Sequence, residues 1–209
     1  MYAYDVNGDG LNDVITSIEA HGYGLVWYEQ FRENGEINFK QHVITGKKPE
    51  DNRYGVCFSQ PHAIDLIDMD GDGLKDIVTG KRFWAHGAHG DADPSSPAVL
   101  YWFKLVRLGG AQFRNVLAAH GAELLMRPFP QLKQITKAKD IDFVPYLIDD
   151  NSGIGTQVLA GDINGDKLPD VVVGNKKGTF VFIHEKKKAS KADWEKAQPK
   201  PIAVRTAAQ

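Results

Sequence analysis

Three short acidic segments carry the residues best suited to chemistry in this sequence. They begin at Asp5, Asp68 and Asp162, and each has Asp or Asn at positions 1, 3, 5 and 9, with Gly at position 4 and Leu at position 7. Side-chain oxygens at alternate positions can converge on one point, and position 7 can add its backbone carbonyl. Calcium takes six to eight oxygen ligands, so the pattern predicts calcium-binding loops.

The predicted ligands are the same five positions in each loop. They are Asp5, Asn7, Asp9, Leu11 and Asp13, then Asp68, Asp70, Asp72, Leu74 and Asp76, and finally Asp162, Asn164, Asp166, Leu168 and Asp170. In the third loop Lys167 replaces the Gly found at position 6 of the other two, and Pro169 stands at position 8. We therefore expect calcium to stabilise the protein more through the first two loops than through the third.

Two other kinds of loop resemble the acidic segments in part. An EF-hand begins similarly but needs a bidentate Glu at position 12, where this sequence has Thr16, Thr79 and Val173. Ordinary Asp-Gly hairpin turns would explain one segment, but not the same nine-residue pattern three times. The repeated pattern favours metal-binding turns between strands.

Histidines form a second group with metal-binding character. His86, His89 and Asp91 lie in a long polar loop, and imidazoles with an acid suit zinc or another transition metal. His21 and His86 each follow the first strand after an acidic loop, so in a repeated architecture they could face the same end. The alternative is a polar loop with surface histidines. With no nucleophile elbow, P-loop, dinucleotide fingerprint or HExxH, the sequence predicts no catalytic residue.

The segments around the acidic loops predict the fold. A β-branched run follows each loop, at 14–16, 77–79 and 171–173, and an aromatic-rich strand follows each run. Third and fourth strands complete a four-stranded unit, and tandem four-stranded units are propeller blades. We therefore predict an all-β partial β-propeller over residues 1–185, with an inserted segment at about 109–139 that has helical spacing over 113–126. The strand that should precede Asp5 is not recognisable.

The loops and their flanking strands resemble FG-GAP/VCBS repeats, the blades of integrin-α-type propellers and of many bacterial secreted proteins. The resemblance covers about residues 1–107 and 140–185. It implies calcium at the loop residues named above and an extracellular, periplasmic or cell-surface location. It also implies that the chain is a fragment of a larger secreted protein of bacterial type. The remaining blades, or other copies of the chain, would then cover the open edges.

Composition limits the remaining function classes. The formal net charge of −2 argues against a nucleic-acid partner, and no apolar stretch approaches the ~20 residues of a membrane span. Residues 186–209 form a basic tail, in which Ser190 and Asp193 predict a capped helix over 191–197. The favoured function is a calcium-stabilised module that binds carbohydrate or protein. The alternatives are a pure scaffold and a catalytic propeller, of the sugar lyase or dehydratase type, with a histidine metal site.

Overall fold

The computed structural model describes residues 1–108 and 140–202, and these residues form three antiparallel sheets. The first sheet contains β1 (Tyr2–Tyr4), β2 (Asp13–Ser17), β3 (Leu25–Glu33) and β4 (Glu36–Thr45). The second contains β5 (Ile64–Ile67), β6 (Asp76–Gly80), β7 (Leu100–Leu108) and β8 (Asp140–Asp149). The third contains β9 (Val158–Gly161), β10 (Asp170–Asn175) and β11 (Gly178–Phe182). Each sheet pairs its strands in chain order.

This architecture confirms the predicted all-β partial propeller. The β-branched runs form β2, β6 and β10, and the aromatic-rich segments form β3, β7 and β11. One expectation was wrong, because a strand does precede the first acidic loop. It is β1, which pairs with β2 through Tyr2 opposite Ile15 and Tyr4 opposite Asp13. The helix expected over 113–126 lies outside the described residues.

The sheets pack face to face through two apolar cores. In the first core, Ile15 and Trp27 of the first sheet meet Ile77 and Phe103 of the second. In the second core, Val78 meets residues of the third sheet, including Val171 and Val173 of β10. Successive side chains of a strand point to opposite faces. Ile77 therefore packs in the first core and the adjacent Val78 in the second, which explains why β6 is apolar almost throughout.

The strand directions place two sets of connections at opposite ends of the sheets. The acidic loops join β1 to β2, β5 to β6 and β9 to β10, whereas the connections after β2 and β6 lie at the other end. At that other end the sheets are tied by backbone hydrogen bonds. Gln60 N–H donates to Gly22 O (2.6 Å), Arg82 N–H to Gln60 O (3.0 Å) and Ile154 N–H to Lys81 O (2.9 Å).

The described part of the basic tail contains the helix that the capping residues predict. This helix, α1 (Lys191–Ala197), begins where the Ser190 hydroxyl accepts the backbone N–H of Asp193 at 3.1 Å. After α1 the chain returns to the second sheet, where the Tyr146 hydroxyl donates to Gln198 Oε1 at 2.6 Å. Among residues 1–108 and 140–202, no helix combines the length and apolarity needed to cross a membrane.

Candidate functional site

The first Asp of each acidic loop organises the turn. Asp5 Oδ1 accepts the backbone N–H of Gly8 at 2.6 Å, and its Oδ2 accepts that of Gly10 at 3.0 Å. The same bonds recur at Asp68 and Asp162. In all three loops the carboxylate draws the following residues into one curl, so the sequence repeat is also a repeat of hydrogen bonds.

The curl needs a left-handed backbone at position 6. Gly10 and Gly73 have φ values of 88° and 89° there, which glycine adopts at little cost. Lys167 takes the same position in the third loop with φ of 69°. A residue with a Cβ atom is strained in this region. The third loop thus keeps the geometry of the other two at an energetic disadvantage.

The last Asp of each loop is buried and fastens the loop to the rest of its sheet. Asp76 is fully buried; its Oδ2 accepts the Met69 N–H at 3.0 Å and its Oδ1 accepts the Leu105 N–H at 2.9 Å. Asp13 and Asp170 are equally buried and make the same pair of bonds. Burial raises the pKa of Asp76 to about 6, against the opposing effect of the two N–H donors.

Three carboxylates of the second loop converge. Asp68, Asp70 and Asp76 each place one oxygen within 4.8 Å of the others. Within the described ranges, no other set of three His, Cys, Asp or Glu residues meets this distance. The first and third loops have an amide at position 3 instead, supplied by Asn7 and Asn164. All of these donors are oxygens, the ligand type that suits hard cations such as calcium and magnesium.

In the first two sheets the third strand adds a side chain beside the acidic loop. Asn7 Nδ2 donates to Glu29 Oε1 at 3.3 Å in the first loop. In the second loop, Lys104 forms ion pairs with Asp70 and with Asp72, the latter at 2.9 Å. Burial opposes the charged form of Lys104, but hydrogen bonds to the two carboxylates outweigh it and raise the pKa of the ammonium. Sequence reasoning missed Glu29 and Lys104.

The structure brings two of the three predicted histidines together. The ring centroids of His21 and His86 are 4.6 Å apart, and His62 joins them with its ring 5.2 Å from that of His21. His86 Nδ1 also lies 3.5 Å from a carboxylate oxygen of Asp91. His89 is exposed, and its ring is not among the aromatic contacts found in the described chain. The cluster therefore differs from the predicted set, because His62 takes the place expected for His89.

A buried lysine holds the loop that carries His86. Lys81 is 1% exposed, and its ammonium donates to Ser59 Oγ (2.9 Å) and to the carbonyl oxygens of Ala92 (3.2 Å) and Asp93. Burial lowers the pKa of Lys81. Hydrogen bonds to neutral acceptors thus anchor the long loop to the end of β6 and keep the His86 segment near His21.

A shallow cavity of about 210 Å³ opens at the same end of the sheets. Arg82, Trp84 and Lys176 line it. The Trp84 ring is partly exposed and stacks on that of Phe83, with ring centroids 5.4 Å apart. Two cationic groups beside an open aromatic face can contact a polar ligand that also has an apolar surface.

Two sequence families match the chain. The FG-GAP-like repeat family matches residues 5–79, and the FG-GAP repeat family matches residues 154–183. The chain is also 29% identical over 93 residues to integrin alpha-PS3 of Drosophila melanogaster. That alignment covers 42% of this chain and 8% of the integrin.

Proposed function

This chain belongs to the FG-GAP repeat family, and we propose that it is a calcium-stabilised propeller module used for binding or scaffolding. The observation that supports this function best is the repeat of one acidic curl in all three loops, each organised by its first Asp. In the second loop the curl brings carboxylate oxygens of Asp68, Asp70 and Asp76 within 4.8 Å of one another. Carboxylates held this close repel one another, and a bound cation removes the repulsion. Calcium would be held by the side chains at positions 1, 3, 5 and 9 of each loop and by the position 7 carbonyl.

Calcium in these loops would act on stability. The position 9 carboxylate joins the loop to the third strand, so a cation bound to it fixes both together. A metal at about 100 times its dissociation constant adds about 2.7 kcal/mol per site. The test is thermal melting in EDTA and then in excess calcium, with calorimetric titration of calcium. We expect calcium to raise the melting temperature.

A variant of the first loop and a variant outside the loops provide the control for this test. Asp5→Ala removes the residue that organises the loop and should reduce the number of calcium ions bound. Glu36→Ala, at an exposed hairpin position away from the loops, should leave calcium binding unchanged. Equal melting curves in EDTA and in calcium for the unaltered chain would contradict the proposal.

The outer face of the third sheet supports a partner made of the same kind of blade. Leu159, Val172 and Val181 lie side by side across β9, β10 and β11, and Leu159 and Val181 are 61% and 54% exposed. The equivalent strand position in the second sheet is Val78, which the third sheet covers. We therefore propose that another blade covers this stripe, from the remainder of a larger protein or from a second copy of this chain.

The opposite end of the sheets supports a ligand site. Arg82, Trp84 and Lys176 would contact a carbohydrate or a protein segment, because they combine cationic groups with an open aromatic face. For the whole module we propose an extracellular, periplasmic or cell-surface location, since calcium for the acidic loops is abundant outside cells. Binding of a panel of neutral and acidic oligosaccharides, compared with Trp84→Ala, tests the carbohydrate form of this proposal. Equal binding by both proteins would contradict it.

The histidine cluster favours a second candidate function, a catalytic propeller of the sugar lyase or dehydratase type. The supporting observation is the 4.6 Å separation of the His21 and His86 rings, which an exposed pair could close around zinc. The test is a titration with Co²⁺, whose visible spectrum reports imidazole ligation. His21→Ala and His86→Ala should abolish the signal, and His89→Ala should keep it. A signal that survives in His86→Ala would contradict a metal at this cluster.

A further inference from the structure

The acidic loops are anchored to equivalent residues of the third strands, which allows those strands to be compared position by position. The last Asp of each loop accepts one backbone N–H from the third strand or the residues that directly follow it. The donors are Gln30, Leu105 and His184 in the first, second and third sheet. The residues immediately before these donors are Glu29, Lys104 and Ile183. These three side chains therefore occupy one structural position beside the three loops.

Their charges differ. Lys104 is half-buried and contacts both Asp70 and Asp72, each a predicted calcium ligand. Glu29 contacts Asn7 of the first loop at 3.3 Å and also lies 2.7 Å from His42 Nε2. Ile183 brings no charge to the third loop. A cation, an anion and a neutral group thus stand at the same place in otherwise similar loops.

We propose that Lys104 serves as a built-in cation that neutralises the second loop in place of a metal ion. This inference rests on the proposed function, calcium binding by the acidic loops. The Lys104 ammonium is tethered beside Asp70 and Asp72, so this cation is always present at high local concentration. Calcium entering the loop must displace it and then tolerate a positive charge close by. The second loop is therefore ordered without metal and binds calcium weakly.

In the first loop the residue at this position is an acid, so we expect tighter rather than weaker calcium binding there. Glu29 adds a carboxylate to a loop that has Asn rather than Asp at position 3. A nearby negative charge favours a bound cation. The first loop should consequently bind calcium more tightly than the second, although the second has more Asp residues. The sequence pattern alone distinguishes these two loops from the third but not from each other.

The experiment is calcium titration of the whole chain and of Lys104→Gln, each with and without Asp68→Ala. At a calcium concentration too low to fill the weak second loop of the unaltered chain, Lys104→Gln should bind one more calcium ion, because its second loop binds calcium roughly tenfold more tightly. Asp68→Ala should remove that added site and leave the calcium binding of the unaltered chain unchanged. In EDTA, Lys104→Gln should melt at a lower temperature, and calcium should restore it.

A reciprocal variant keeps the test decisive if Lys104→Gln folds poorly. Glu29→Lys places the same cation beside the first loop and should remove one calcium site. The inference is overturned if Asp68→Ala lowers the calcium content of the unaltered chain at that low calcium concentration, or if neither Lys104→Gln nor Glu29→Lys changes the content. If the unaltered chain binds no calcium but Lys104→Gln does, the inference stands and the proposed function of the native chain fails. If neither binds calcium, both fail.

Discussion

The carboxylate of Asp76 accepts the backbone N–H of Leu105 across the second sheet at 2.9 Å. Both residues are fully buried, and the other carboxylate oxygen accepts the N–H of Met69 at the start of the loop. One side chain therefore joins the beginning of the acidic loop, the first residue of β6 and the middle of β7. The acidic loop is thus part of the sheet that carries it.

Asp76→Ala should destabilise the protein much more than Asp72→Ala, even without metal. The first change leaves two buried N–H groups without their acceptor, at about 1–3 kcal/mol each. Asp72 is exposed, so its loss should cost under about 1 kcal/mol. Urea denaturation in EDTA measures both. A similar loss of stability in the two variants would show that the bonds to Met69 and Leu105 contribute little.

Lys167→Gly should stabilise the third loop by about 1 kcal/mol. Its backbone is left-handed, a conformation that glycine adopts without the steric cost of a Cβ atom. Lys167→Ala is the matched control, since it removes the charge but keeps the strain, and it should leave stability nearly unchanged. Gly73→Ala should lower stability by a similar amount in the second loop. If Lys167→Ala and Lys167→Gly had the same effect, charge and not backbone strain would be responsible.

Gly155→Ala and Gly161→Ala should differ strongly in their effect on stability. A Cβ atom at Gly155 would lie 1.9 Å from the carbonyl oxygen of Gly174, which is backbone and cannot easily move. A Cβ atom at Gly161 would meet nothing within 4 Å. We expect Gly155→Ala to cost more than about 2 kcal/mol and Gly161→Ala under about 0.5 kcal/mol. Thermal melting of both variants checks the close approach, which comparable melting temperatures would refute.

Val181→Lys should reduce self-association of the chain. Val181 belongs to the exposed stripe on the third sheet, and a charge there would be buried by any blade that covers it. Sedimentation velocity over a range of concentrations measures the shift toward monomer. Ile37→Lys is the control, because Ile37 is equally exposed at 54% but lies on the β3–β4 hairpin. Association that is unaltered by Val181→Lys would exclude this stripe as the contact surface.

The parts of the fold that follow from local sequence were predictable. The acidic loops are defined by residues within nine positions, and the strands that follow them are runs of β-branched residues. β1 was not predicted, because a three-residue strand is too short to show a periodic pattern and is recognised only by its pairing with β2.

The contacts that matter most to the proposed site could not be read from the sequence. Lys104 is 34 residues beyond Asp70 along the chain. Its place beside the loop depends on the β6–β7 register, in which Ile77 pairs with Phe103. His62 reaches His21 only because the Gln60–Gly22 hydrogen bond closes the end of the first two sheets. Both depend on strand pairing over long distances, which no local pattern encodes.

The central strands β2 and β6 each have an acidic loop before their first residue and a histidine-bearing connection after their last. Each of these strands is five residues long, which corresponds to about 17 Å. Charges on the surface are screened over about 8 Å at physiological ionic strength. Mutations at one end therefore barely alter the electrostatic potential at the other, so the proposed cation loops and the proposed ligand site can change independently within the same blade.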